Sequence, residues 1–100
     1  MKIVTFEDLD EKLTADYETC FIHSGCADNA DVVIIDINTI FDYEDKKLKI
    51  CKEKFTSIAI IDDPSDFDAF KNFGITAWIK REELNQLPNL LKDVQQRMSL

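Results

Sequence analysis

Short, almost wholly apolar blocks recur along this chain between charged segments, and the purest of them, Asp31-Val-Val-Ile-Ile-Asp36-Ile37, constrains the fold most. It is too short for a core helix and too apolar for a strand with one wet face. It fits the central strand of a parallel sheet covered on both sides. The other blocks fall into place around it. Residues 2–6 form a first strand, and Glu7 to about Asp16 a short helix in which Leu9, Leu13 and Tyr17 recur every four residues. Thr19-Cys-Phe-Ile-His-Ser24 gives a second strand, and residues 25–30 a polar loop with no room for a helix. Asp42 to Phe55 reads as a solvated helix, and Ser57–Ile61 as another buried strand stopped by the turn residues Asp62-Asp63-Pro64. Ser65 is placed to cap a helix over Asp66–Phe73 that Gly74 closes, with Phe67, Phe70 and Phe73 as its buried stripe. Ile75–Ile79 is a fifth strand. Asn85–Met98 is a last helix, with Pro88 tolerated in its first turn.

This alternation, with right-handed crossovers, predicts an α/β fold: a five-stranded parallel sheet with helices on both faces and no second helix. The economical strand order is the flavodoxin-like 2-1-3-4-5. One hundred residues and 11.6 kDa make one domain that buries roughly 65% of its unfolded surface. No apolar run approaches the ~20 residues of a membrane span. The first nine residues lack the apolar core of a secretory signal, so a cytoplasmic location is expected. Twelve basic against twenty acidic residues give a net charge of −8, which disfavours nucleic acid and anionic membranes and favours a protein partner. Three cysteines cannot all pair within one chain and read as reduced thiols, Cys20 and Cys51 being small core residues. Cys20, His23, Cys26 and Cys51 contain no Cys-x-x-Cys knuckle, and the lone histidine reads as structural within an apolar strand.

In such a sheet, function gathers beyond the carboxyl ends of the strands. There the sequence places Glu7 and Asp8, Asp36, Asp62 and Asp63, and Lys80 and Arg81. Several carboxylates beside a cation suit a hard divalent metal such as Mg²⁺, leaving one aspartate as nucleophile for phosphoryl transfer and a Lys or Arg to stabilise the transferred group.

That order of elements and several of these residues resemble the receiver (CheY-like) domain of bacterial response regulators across nearly the whole chain. Lys2-Ile-Val-Thr-Phe-Glu7-Asp8 resembles the family's first strand ending in an acidic pair, and Asp31-Val-Val-Ile-Ile-Asp36 its third strand ending in the phosphoacceptor. Asn38 stands at the metal-carbonyl position. Ala69 to Ile79 resembles the approach to the fifth strand, with Trp78 at the aromatic switch position, and Glu82-Glu-Leu84 the start of the last helix. The resemblance implies Asp36 as phosphoacceptor, Glu7, Asp8, Asp36 and Asn38 as a Mg²⁺ set, and Asp62, Lys80 and Arg81 near the phosphoryl group.

The departures from the family point the other way. Asp62 replaces the hydroxyl residue that ends the fourth strand and would repel a phosphoryl group. Ungapped counting puts Arg81 at the family's lysine position, Lys80 reaching it only with a deletion, and Glu82 stands for the following proline. The segment between Asp8 and Asp36 is too short for the usual second helix, and the loop after Asp36 lacks the family's proline and glycine. The resulting expectation is an atypical receiver, or pseudo-receiver, that is not an enzyme and signals by protein contact with a histidine kinase, an output domain or a second copy. Its docking face would include Trp78, Phe67 and Leu87. A working phosphoacceptor is the alternative. The last residues still follow a helical pattern, as in a domain continuing into a longer protein.

Each residue also has a plainer role. Thr5-Phe-Glu-Asp8 suits the start of a helix, Asp36 a loop cap, Asp62-Asp63-Pro64 a turn, Lys80 and Arg81 solvated charges paired to Glu82 or Glu83, and Trp78 simple packing. A second class is a STAS-like interaction module, which Asp31–Asp42 faintly resembles and whose phosphorylatable hydroxyl would be Thr39. A metal-dependent phosphatase lacks the Asp-x-Asp motif expected after the first strand.

Overall fold

The computed structural model describes residues 1–75 and 77–100. Five parallel strands, β1 (Lys2–Thr5), β2 (Glu18–Phe21), β3 (Ala30–Ile35), β4 (Cys51–Ile61) and β5 (Ala77–Lys80), form one sheet in the order β2-β1-β3-β4-β5. Strand alternation sorts the apolar side chains into two layers. Val4, Val33, Ile35, Ala59 and Ile61 face one side with α1 (Ile40–Ile50) and α2 (Asp66–Asn72), which contribute Ile40, Tyr43, Ile50 and Phe70. Ile3, Val32, Ile34, Ile58, Ile60 and Ile79 face the other, covered by Leu87, Leu91 and Val94 of α3 (Leu87–Arg97). The folded surface of 6001 Å² agrees with the roughly 5,800 Å² that the area scaling gives for a chain of this mass.

The local elements depart from the sequence pattern in instructive places. The helix expected over Glu7–Asp16 is only a 3-10 turn at Glu11–Thr14, opened by Asp10 accepting the Lys12 amide at 3.0 Å. Leu9, Leu13 and Tyr17 still pack on the α3 side of the core, which a single turn suffices to arrange. The second strand stops at Phe21, and residues 22–24 form a 3-10 turn, so His23 is exposed with its ring edge against Phe21 rather than buried in a strand. Helix α1 begins earlier and ends sooner than Asp42–Phe55. At Cys51 the chain turns extended and pairs with Ala30, and Lys52 reaches Asp31 at 3.0 Å; residues 52–55 then run extended through a shift of register until Thr56 pairs with Val32, instead of continuing the helix.

Helix α2 follows the expected span, but Ser65 does not cap it. The Ser65 hydroxyl donates to Asp63 at 2.9 Å, while buried Asp66 accepts the Asp62 and Asp63 amides at 3.1 Å each. Gly74 closes the helix as anticipated: at φ 75° it sits where L side chains are strained, and its amide and that of Ile75 return to Lys71 and Phe70. The expected fifth strand spans Thr76, which lies outside the described residues. The last helix splits into a 3-10 segment, Arg81–Gln86, and α3, with Pro88 in the first α-turn.

Candidate functional site

Extending two ladders past their last paired residues shows which side chains must meet. Thr5 pairs with Ile34, so Glu7 follows opposite Asp36; Ile61 pairs with Lys80, so Asp62 follows opposite Arg81. Four adjacent strands therefore end in Glu7, Asp36, Asp62 and Arg81, in that spatial order. Arg81 reaches back across them. Its Nε donates to Asp62 Oδ1 at 2.6 Å and its Nη2 to Asp62 Oδ2 at 3.1 Å, a bidentate pair. Its Nη1 pairs with Glu7, and Nη2 lies 3.5 Å from Asp36 Oδ2. Asp62 and Glu7 raise the guanidinium's pKa above its ordinary value. The hydrogen bond from Arg81 in turn holds the Asp62 carboxyl below the usual range, against the opposing effect of burial.

Asp36 is 4% exposed and clasped by its own turn. Its amide donates to Thr39 Oγ1 at 3.0 Å, the Thr39 hydroxyl donates back to Oδ1 at 2.9 Å, and the Thr39 amide reaches the Asp36 carbonyl at 3.1 Å. Asn38 Nδ2 stands 3.5 Å from Oδ2. Thr39 is thus a turn clasp, with its hydroxyl already engaged on both sides.

Of the residues expected to form the site, the structure brings together Glu7, Asp36, Asn38, Asp62 and Arg81. It separates Asp8, which lines a different cleft with Thr5, Glu11, Thr14 and Thr19. Lys80 is exposed beside the cluster, so Arg81 is the cation that enters it. Leu87, expected on a docking face, is fully buried in the first turn of α3 and belongs to the core. Phe67 and Trp78 do share a surface: their rings meet edge to face with centroids 5.2 Å apart, and Trp78 remains 41% exposed. With Leu90 they line a shallow groove across the β5 edge that ends on Glu83 and Asp93. Leu90 is the apolar residue that the helical pattern hides, because it lies one turn after Leu87 on the same helix.

As arranged, the residues do not make an octahedral oxygen set for Mg²⁺. Asp8 lines a neighbouring cleft instead of this cluster, and a guanidinium lies among Glu7, Asp36 and Asp62. Among the described residues, no three His, Cys, Asp or Glu side chains are grouped to hold a metal ion. One oxygen is left over: Glu7 Oε2 is buried with no hydrogen-bond partner.

The sequence pattern missed two further features. Asp31, at the opposite end of β3, accepts the Lys2 amide at 2.8 Å and pairs with Lys52. Burial works against its charge, but these partners bring its pKa below the ordinary value. Cys20 and Cys26, read as thiols, are joined in a disulfide, leaving Cys51 as the free thiol. An odd cysteine count rules out complete pairing but not a single pair. Among the described residues no helix is long and apolar enough to cross a membrane. Comparison of the chain with known protein families, with curated proteins and with solved structures finds no match.

Proposed function

We propose that this chain is a flavodoxin-like, receiver-like docking module of cytoplasmic signal transduction, whose contacts with a protein partner do not depend on phosphorylation of Asp36. The observation that carries the reading is Arg81. A receiver switch needs an acidic pocket that recruits a divalent cation and a phosphoryl group together, because the metal offsets repulsion between carboxylates and phosphate. Here one side chain supplies positive charge to Glu7, Asp36 and Asp62 at once. Asp62 adds negative charge where an incoming phosphoryl group would sit. The groove of Phe67, Trp78 and Leu90 offers the aromatic and apolar anchors of a protein interface.

A working phosphoacceptor is the second reading, favoured by the unpartnered Glu7 Oε2, which a cation that displaced Arg81 would satisfy. Mg²⁺ with acetyl phosphate, and Mg²⁺ with beryllofluoride, separate the two. The docking reading expects no mass increase and no change in Trp78 fluorescence in the folded protein. A saturable, Mg²⁺-dependent response that Asp36→Ala abolishes would overturn it and establish the switch.

A further inference from the structure

We propose that Cys20 and Cys26 form a reversible dithiol–disulfide pair that exchanges with low-molecular-weight thiols and, when closed, locks the connection between β2 and β3. The topology leaves this connection with little support. β2 lies at the sheet edge and β3 on the far side of β1, so residues 22–29 must pass over β1. A parallel crossover usually takes at least about 10–12 residues, helix included. This one is shorter and contains a 3-10 turn in place of a helix. Only Ile22 and Ala27 pack against the core, and Lys2 adds two hydrogen bonds at the surface, to the Cys26 carbonyl at 3.0 Å and to Asp28 at 2.6 Å. The disulfide spans the turn, with Cα atoms 6.0 Å apart, within the ordinary range for such a bridge. It ties the exposed loop to a buried position on β2 that is registered on Val4.

The two sulfurs differ in the way stepwise exchange requires. Cys26 is exposed, whereas Cys20 is 4% exposed within the strand. The Cys26 thiolate can attack a small disulfide and release one small thiolate, forming a mixed disulfide. Cys20 then attacks the Cys26 sulfur, closing the protein bond and expelling the second small thiol. The two protein thiols give up two protons and two electrons, and the small disulfide is reduced to two thiols; the reverse sequence opens the bond. Cys51 is set apart from this chemistry at the start of β4, half-buried, its thiol pushed up to about 11 by burial and therefore protonated near neutrality. Phe21 and Ser24, inside the closed ring, also form one wall of the 380 Å³ polar cleft that contains Asp8. Opening the bond would loosen that wall.

The test equilibrates the full chain with graded mixtures of reduced and oxidised glutathione, traps free thiols with iodoacetamide, and maps them by mass. Cys20 and Cys26 are expected to pass together from closed to alkylated while the protein stays folded, with Cys51 unmodified until denaturant is added. Amide exchange over residues 21–29 is expected to rise at least about fivefold on reduction. Cys26→Ser, a change at an exposed site, should show the faster exchange in every mixture, and Cys51→Ser should leave the transition unchanged. A bond that opens only after unfolding would make the pair a permanent staple. A bond that never closes in oxidised glutathione would make them ordinary thiols, and equal exchange in both states would remove the lock. Each of these overturns the proposal.

Discussion

Strand β3 carries an aspartate at each end, Asp31 near its start and Asp36 just beyond its finish, and both are 4% exposed. Equal burial conceals different kinds of solution. Asp31 has a fixed donor, the Lys2 amide, and one lysine whose side chain is about half exposed. Its partners tie β1 to β3 and β3 to the start of β4, and among the described residues no other carboxylate pairs with Lys52. Asp36 instead shares its cation with Glu7 and Asp62, so its charge is balanced by a guanidinium reaching in from the far edge of the sheet. Burial of a carboxylate therefore does not by itself mark a site. What separates the two is whether the compensating charge is dedicated or shared, because a shared one couples every strand end it touches.

The largest expected effect breaks the shared arrangement. Arg81→Ala leaves Asp36 and Glu7 without their counter-charge. Breaking a fully buried pair costs about 3–5 kcal/mol, and with the Arg81 side chain 38% exposed we expect about 2 kcal/mol in urea unfolding. Adding Asp36→Asn should recover about half of that loss, since it removes the stranded charge. Rescue by Asp36→Asn that is absent, or equally large with Arg81 present, would show that the two are uncoupled.

The dedicated arrangement should behave otherwise. Asp31→Ala strips the partly buried Lys2 amide of its acceptor; a fully buried stranded donor costs about 1–3 kcal/mol, and about 1–2 kcal/mol is expected here. Lys52→Ala should cost under about 1 kcal/mol, because its ammonium is exposed. If Lys52→Ala proved as damaging as Asp31→Ala, the ion pair rather than the backbone bond would hold this end of β3.

The sheet and its order were legible because parallel strands buried on both faces are written as unbroken apolar runs, and residues 32–35 and 58–61 are such runs. The ends of the elements were harder to read. Residues 51–55 carry a helix-like pattern of lysines and acids, and only the long-range pairing of Ala30 with Cys51 and Asp31 with Lys52 draws them into β4. Leu9, Leu13 and Tyr17 obeyed helical spacing with only one 3-10 turn among them, since that turn and its flanking loops bring all three to the same core face. The acidic strand ends were visible from topology. Which of Lys80 and Arg81 enters them depends on strand register, and so does the separation of Asp8 from Glu7, because adjacent residues leaving a strand point to opposite faces. The Cys20–Cys26 bond could not be read from spacing at all, because it depends on a turn replacing the end of a strand.

The smallest effect sharpens the comparison through pH. Arg81 lowers the Asp62 pKa below its value in the unfolded chain, about 3.9. A depressed carboxyl contributes stability that is complete above the unfolded value and is lost as pH falls through the lower folded one. Asp62→Asn should therefore be less stable than the parent above about pH 5, and the gap should close as pH falls from the unfolded value through the lower folded one. The side chains are both more than a third exposed, so solvent screening keeps the difference under about 1 kcal/mol. Paired urea titrations between pH 6 and pH 2 measure it. A gap that persists unchanged into acid would mean that Asp62 acts through its shape in the turn rather than through its charge on Arg81, and the network would then reduce to Glu7, Asp36 and Arg81.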